Sequence, residues 1–314
     1  MINIAIAPDH NYIEPAAVAI TSLLENRNDE VSIYLTYLEG ELSDDSLNLL
    51  NDIAYKYQSQ IQFVCIKKEF LQNFPIARCG FSTYLRLFLP WALPNVEIII
   101  YLDCDVIVEK PLDELFHTDL GDNCMAAVAD YYSKNFFHQQ SIGYNHHRPY
   151  VNAGVLLMNL RRLRNLDMQK NIERYLKQHR HDLLHADQDI INVLVPGIRI
   201  LHLRYNVNMY IWVVPAIFPT PWKRKERKEA INSPVIIHFL GDEKPWQGIR
   251  LKFADRWWHY AELTLPAIRD SFMAVREQGM QPSRKKRFRF YKDGIRNSMP
   301  HWLLRLYYKI RLQL

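Results

Sequence analysis

The chain has 314 residues, 48% hydrophobic and 23% charged, which excludes disorder throughout and suits one large domain or one domain with an appendage. Only 10 residues are glycine, and none lies in G-x-G-x-x-G or G-x-x-x-x-G-K-[ST], so a nucleotide diphosphate would have to be held without a glycine-rich cradle. The net charge of +5 divides unevenly: residues 276–314 carry eleven basic and two acidic side chains (+9), while the preceding 275 carry 28 and 32 (−4), so the tail suits an anionic partner.

In chain order, residues 2–7 are a short apolar run of strand type, and residues 13–24 place apolar side chains at helical spacing. Residues 31–38 read as a strand. Residues 43–57 read as a helix capped by Ser43, with Asp44 and Asp45 in its first turn, and residues 61–66 as a third strand. This alternation predicts an α/β fold with a parallel sheet and helices on both faces. A helical stretch over 83–89 precedes Glu97-Ile-Ile-Ile-Tyr-Leu102, the most strand-like segment, which ends in Asp103-Cys-Asp105. Residues 124–129 and 153–158 are further apolar runs, 161–179 a long amphipathic helix, 187–194 a short one, and 235–238 a last strand. Between the last two, residues 205–222 are rich in aromatics and proline, which predicts a loop or wall.

Alternation at the end of a strand puts Asp103 and Asp105 on one side and Cys104 on the other. Two carboxylates this close repel unless a cation neutralises them, and Mg²⁺ or Mn²⁺ is the obvious candidate; an ordinary strand-to-loop turn is the alternative. His238 ends another strand, with Gly241 to permit a tight loop and Lys244 as a point charge suited to phosphate. Imidazole tilts an Asp-Asp-His set toward manganese, whereas a hydrogen-bonded histidine beside a surface lysine is the plain reading. Asp187 is placed to cap a helix, and Asp130 and Asn152 stand at other strand edges. Edge after edge of the expected sheet carries Asp, Asn or His.

Taken together, Ala7-Pro-Asp-His-Asn-Tyr12, Ser82-Thr-Tyr-Leu-Arg-Leu87, Tyr101-Leu-Asp-Cys-Asp-Val106, Val151-Asn-Ala-Gly-Val-Leu-Leu-Met-Asn159, Asp187-Gln-Asp-Ile-Ile-Asn192 and the segment from His238 to Trp246 resemble family 8 of the retaining glycosyltransferases, particularly those of bacterial lipopolysaccharide. The resemblance covers roughly residues 2 to 260, in the family's order. It implies a GT-A fold, a Rossmann-like, mostly parallel sheet that binds a UDP-hexose (galactose or glucose) and a divalent metal, normally Mn²⁺. It assigns metal ligation to Asp103, Asp105 and His238. Nucleoside contact falls to Asp9, Asn11, Tyr12, Asp103 and Cys104. The hexose surroundings fall to Arg86, Asp130, Asn152, Ala153, Asp187 and Gln188, and the diphosphate loop to Gly241 and Lys244. Pro8 and His10 depart from the family's more acidic first motif. Gln188 matches the residue at the sugar's β-face; its amide is a poor nucleophile, which favours front-face attack, with Asp130 and Asp187 as alternative nucleophiles.

The sequence divides into a catalytic domain over 1–265 and a basic helical extension over 266–314. Residues 300–314 combine apolar side chains at helical spacing with Trp302, Tyr307 and Tyr308, and residues 284–289 add basic charge, a pattern suited to an anionic membrane surface rather than to nucleic acid. A C-terminal helix packed on the body is the alternative. With no signal peptide, no apolar run of roughly 20 residues and no C-x-x-C among Cys65, Cys79, Cys104 and Cys124, the expected location is the cytoplasm, peripheral on the inner face of the cell membrane. The acceptor expected there is a saccharide or glycolipid. Two other functions compete: a haloacid dehalogenase-type phosphatase using Asp103 and Asp105, and a non-catalytic sugar-nucleotide-binding protein.

Overall fold

The structure, a computed structural model, describes residues 1–77, 80–131, 135–145, 147–214 and 220–276. Its strands are β1 (Ile2–Ile6), β2 (Val31–Leu38), β3 (Ile61–Ile66), β4 (Ile98–Leu102), β5 (Val106–Val108), β6 (Met125–Ala129), β7 (Val151–Asn159), β8 (Ile198–Leu201), β9 (Val207–Asn208) and β10 (Ile236–His238). Seven form one sheet in the order β3-β2-β1-β4-β7-β6-β8, parallel except for β7, which runs against both neighbours. The expected mostly parallel, helix-flanked architecture is what folds.

Both faces of the sheet are covered, which is why its central strands read as unbroken apolar runs. Alternation sends Ile4, Ile6, Ile100 and Leu102 to one core, beneath helices Ile13–Glu25, Asp44–Lys56, Ala254–Glu262 and Pro266–Arg276. Ala5, Ile99 and Tyr101 face the other, beneath helices Met168–His179 and Ala186–Leu194. Ser43 caps the helix Asp44–Lys56 as expected, its hydroxyl accepting from the Ser46 N–H at 3.2 Å.

The segment expected as one helix over 161–179 is two, Leu160–Arg164 and Met168–His179, broken where Asp167 turns left-handed at φ 49°. Arg164 ends the first by donating to the carbonyls of Pro90, Leu93 and Val96. The apolar periodicity carries across the break because both pieces bury one face in the same core. Residues 205–222, expected to be loop, hold β9 and a single helical turn, Tyr210–Val213, ahead of the prolines; residues 215–219 lie outside the described ones. Trp222 is core, its indole N–H donating to the Ala129 carbonyl at 2.9 Å.

A second, three-stranded sheet, β5-β10-β9, is not legible in the sequence. The helix Pro266–Arg276, read from the sequence as the start of the extension, packs on the body through Ile268 and Phe272, the latter edge-on to Trp257 at 4.9 Å. Gly248 allows this approach: with φ at 71°, a Cβ there would meet the Val275 carbonyl oxygen at 2.6 Å.

Candidate active site

The strand order reverses at β1 and β4, and ligands of open α/β sheets bind beyond the carboxyl ends at such a point. Asp9 follows β1, Asp103 follows β4 and Asp130 follows β6; β7, running the other way, brings its first residues, Asn152 to Gly154, to the same edge.

The small sheet completes the cluster. Antiparallel pairing of β10 with β5 sets His238 opposite Val106, and the Phe239 N–H binds the Asp105 carbonyl at 2.9 Å, so the imidazole lands beside Asp105. His238 Nε2 stands 3.0 Å from Asp105 Oδ1 and 3.7 Å from Asp103 Oδ2, is buried, and makes no hydrogen bond. One ligand atom from each of the three residues lies within 4.8 Å of the others. The backbone is hollowed to match: a Cβ on Gly154 would fall 2.2 Å from His238 Cε1 and 2.7 Å from Asp103 Oδ2. An orphaned buried nitrogen, two carboxylates and spacings near the ~3 Å separating adjacent ligands of a hard octahedral ion fit a divalent cation.

Lys244 is not the surface lysine of the plain reading: its buried ammonium is on the Asp105 carboxylate and donates to the Phe239 carbonyl at 2.7 Å. Burial pushes the Asp105 carboxyl up, but the Lys244 ammonium and the His238 imidazole beside it outweigh that and hold the group well below the usual carboxylate range.

Arg86, from the 3-10 helix Ser82–Phe88, is buried and ties three segments together. Its Nη2 lies 2.7 Å from Asp103 Oδ1, its Nε 3.0 Å from Asp187 Oδ2, and its Nη1 donates to the Ala153 carbonyl at 2.6 Å, while the guanidinium sits 4.3 Å over the Tyr101 ring. Asp187 is not the helix cap, a position that His185 takes; it lies in the first turn of Ala186–Leu194 and accepts from Thr83 Oγ1 at 2.5 Å. Burial pushes the Asp187 carboxyl up to about 6, with Arg86 pulling the other way.

Around the expected hexose position the amides interlock. Asn152 Nδ2 donates to Asp130 Oδ2 at 2.9 Å and to Gln188 Oε1 at 3.1 Å, and Gln188 Oε1 also accepts from the Ala153 N–H at 3.0 Å. Both acceptor directions of the Gln188 oxygen are thereby engaged.

The nucleoside segment forms the outer wall. Asp9 Oδ1 accepts from the Asn11 N–H at 2.8 Å, and burial raises the Asp9 carboxyl while that bond opposes it; the Asn11 side chain is exposed. Tyr12 meets Trp246 edge-on at 5.8 Å, and Lys244 Nζ lies 5.9 Å from the Tyr12 ring. Cys104 is buried, which pushes its thiol far up and away from reactivity. Gly241 turns the loop after β10 at φ 92°. Of the residues picked from the sequence, Arg86, Asp103, Asp105, Asp130, Asn152, Ala153, Asp187, Gln188, His238 and Lys244 converge; Asp9, Asn11, Tyr12 and Gly241 border them. Thr83, Gly154 and Asn206 belong to the site and were missed: Gly154 lies in a quoted motif without a role of its own, and Asn206 stands next to a strand only two residues long.

Over residues 3–250 the chain matches the glycosyl transferase family 8 model. The chain belongs to this family. The lipopolysaccharide 1,2-glucosyltransferase of Escherichia coli is 27% identical over 252 residues, 78% of this chain and 73% of that protein. General stress protein A of Bacillus subtilis is 25% identical over 271 residues, covering 84% and 94%. The crystal structure of the galactosyltransferase LgtC with donor and acceptor sugar analogues superposes with a TM-score of 0.74 at 26% identity, covering 86% of this chain and all of LgtC. The fold is therefore GT-A. The phosphatase alternative falls: Asp103 and Asp105 follow the fourth strand, inside the region that matches a glycosyltransferase family.

Proposed function

We propose that the chain is a metal-dependent, retaining hexosyltransferase that moves galactose or glucose from a UDP-sugar to a saccharide acceptor of lipopolysaccharide or another surface glycan. The observation that carries this reading is the Asp103–Asp105–His238 cluster beside the Arg86, Asp187, Gln188 and Asn152 network, at the switch point of the sheet. Those three side chains would hold the cation, Mn²⁺ by its donor set with Mg²⁺ as the alternative; when bound, it would stabilise the departing diphosphate.

Arg86, locked between Asp103 and Asp187, fixes the donor-side wall. Gln188 presents the site with an amide whose oxygen is already bonded twice, so it positions the sugar and does not attack it. Both oxygens of Asp187 are likewise committed, to Thr83 and Arg86. This supports front-face substitution: the bond from the anomeric carbon to the phosphate oxygen breaks, a bond to the acceptor oxygen forms on the same face, and the acceptor proton passes to the leaving phosphate. Asp130, Asp187 and Gln188 are the residues whose substitution should slow this step most.

UDP release from UDP-galactose or UDP-glucose, measured with Mn²⁺ and with EDTA, tests the reading. Activity with Mn²⁺ and its loss in EDTA and in an Asp105→Ala protein that still folds are expected; EDTA-resistant release would refute metal dependence. Gln188→Ala should keep a measurable remnant, and complete loss would favour a covalent role.

The tail reading, for residues 277–314, lies outside the described residues. We propose that its basic and aromatic side chains hold the enzyme on the inner, anionic face of the cell membrane, where a lipid-linked acceptor is presented. No helix of the described residues is long and apolar enough to cross a membrane.

A further inference from the structure

Asn206, which no motif of the chain singles out, joins the imidazole of the cation cluster to the amides around the sugar position. His238 Nδ1 lies 3.0 Å from Asn206 Oδ1, and Asn206 Nδ2 donates to Asn152 Oδ1 at 2.7 Å. Asn152 donates in turn to Asp130 and Gln188. His238, Asn206 and Asn152 are all buried.

The direction of every bond in this relay is determined. The Gly154 N–H can only donate, and it binds Asn152 Oδ1 at 2.9 Å. At its other end the Asn152 amide faces the Asp130 carboxylate, which accepts. The Asn152 amide therefore has one orientation. Its oxygen requires a donor from Asn206, so Asn206 Nδ2 must face Asn152 and Asn206 Oδ1 must face His238. An oxygen there demands the proton on His238 Nδ1, so the lone pair that a cation needs can only come from Nε2, the nitrogen aimed at Asp103 and Asp105.

We infer that Asn206 is a positioning residue: it holds His238 in the tautomer able to bind a cation and, through Asn152, ties that choice to the placement of Gln188. The inference rests on the reading of His238 as a cation ligand. An outer partner of this kind typically changes metal affinity 10- to 100-fold. One side-chain amide here serves two functions, cation affinity through Oδ1 and sugar-side alignment through Nδ2, and the two are separable by substitution.

The test uses the full chain. Asn206→Leu keeps the branching at Cγ and removes both bonds; Asn206→Asp keeps an acceptor for His238 Nδ1 but sets an oxygen against Asn152 Oδ1. Mn²⁺ titration by electron paramagnetic resonance should show a 10- to 100-fold loss for Asn206→Leu and parent-like affinity, within threefold, for Asn206→Asp. The Asp variant should instead lose at least tenfold in kcat with UDP-sugar. In ¹⁵N-histidine spectra of the metal-free protein, assigned by difference from His238→Gln, the parent and Asn206→Asp should show a protonated Nδ1 and Asn206→Leu a mixture. Parent-like Mn²⁺ affinity and tautomer in Asn206→Leu, with Mn²⁺ lost in His238→Ala, would overturn the role of Asn206 alone. Undiminished Mn²⁺ binding in His238→Ala would overturn the ligand reading and this inference with it.

Discussion

Asp187 is a buried carboxyl raised from 3.8 to about 6, so its effect on stability has a defined sign. The folded state favours the protonated acid: the stabilisation is complete below pH 3.8 and is lost as pH rises through 6. Asp187→Asn, a permanent mimic of the protonated form, should gain stability relative to the parent between pH 4 and pH 7, by up to about 3 kcal/mol, read as the difference in melting temperature across that range. A difference that shrinks with rising pH would show that the Arg86 pairing dominates. Gly154 is constrained by space, since a Cβ would occupy the hollow between His238 and Asp103. Gly154→Ala should weaken Mn²⁺ binding at least tenfold while the protein stays folded, measured by titration beside a thermal melt; parent-like affinity would mean that the imidazole can retreat at no cost. Both acids and the histidine could be found from sequence, because chemistry restricts residue type at a cation. Gly154 could not, because its constraint lies in the approach of a chain segment 84 positions away.

At the level of elements, the loop after β10 has two anchors. Lys244 is fixed on Asp105, and Trp246 lies between Tyr12 of the nucleoside wall and Trp257 of the core, at 5.8 and 5.5 Å. The lysine thus neutralises one acid of the cluster in the very place where a cation would. Lys244→Met should bind Mn²⁺ alone more tightly than the parent and a UDP-sugar less tightly, compared by calorimetry; equal Mn²⁺ affinity would show that the ammonium does not compete. The main sheet was legible because its strands are long, apolar and separated by helices with readable starts, as Ser43 illustrates. Of the small sheet only β10 was read, within residues 235–238; β5 and β9, three and two residues long, derive their stability from packing, so no periodicity announces them. That sheet is what brings Asp105, His238 and Asn206 together; the resemblance already grouped the first two with Asp103, whereas Asn206, beside a strand of two residues, was missed.

For the whole molecule, the last described helix, Pro266–Arg276, belongs to the packed body, and the change in charge falls at residue 276. If residues 277–314 serve as the proposed membrane tail, removing them should leave the melting temperature within a few degrees of the parent, and a large drop would favour a helix packed on the body. Removing 266–314 uncovers Trp257 and strips Ile268 and Phe272 from the core, each worth about 1.5–3 kcal/mol, and should destabilise or unfold the chain. The first truncation should also lose co-sedimentation with anionic vesicles; equal partition of both forms would discard the membrane role of the tail. The account as a whole depends on one cation shared by residues far apart in the chain. Crystals grown with Mn²⁺ and UDP test it most directly through the anomalous scattering of manganese. The account predicts a single peak bounded by Asp103, Asp105 and His238 Nε2 and touching the diphosphate, with Lys244 withdrawn from Asp105. UDP bound with Lys244 still on Asp105 and no peak between the three side chains would contradict it.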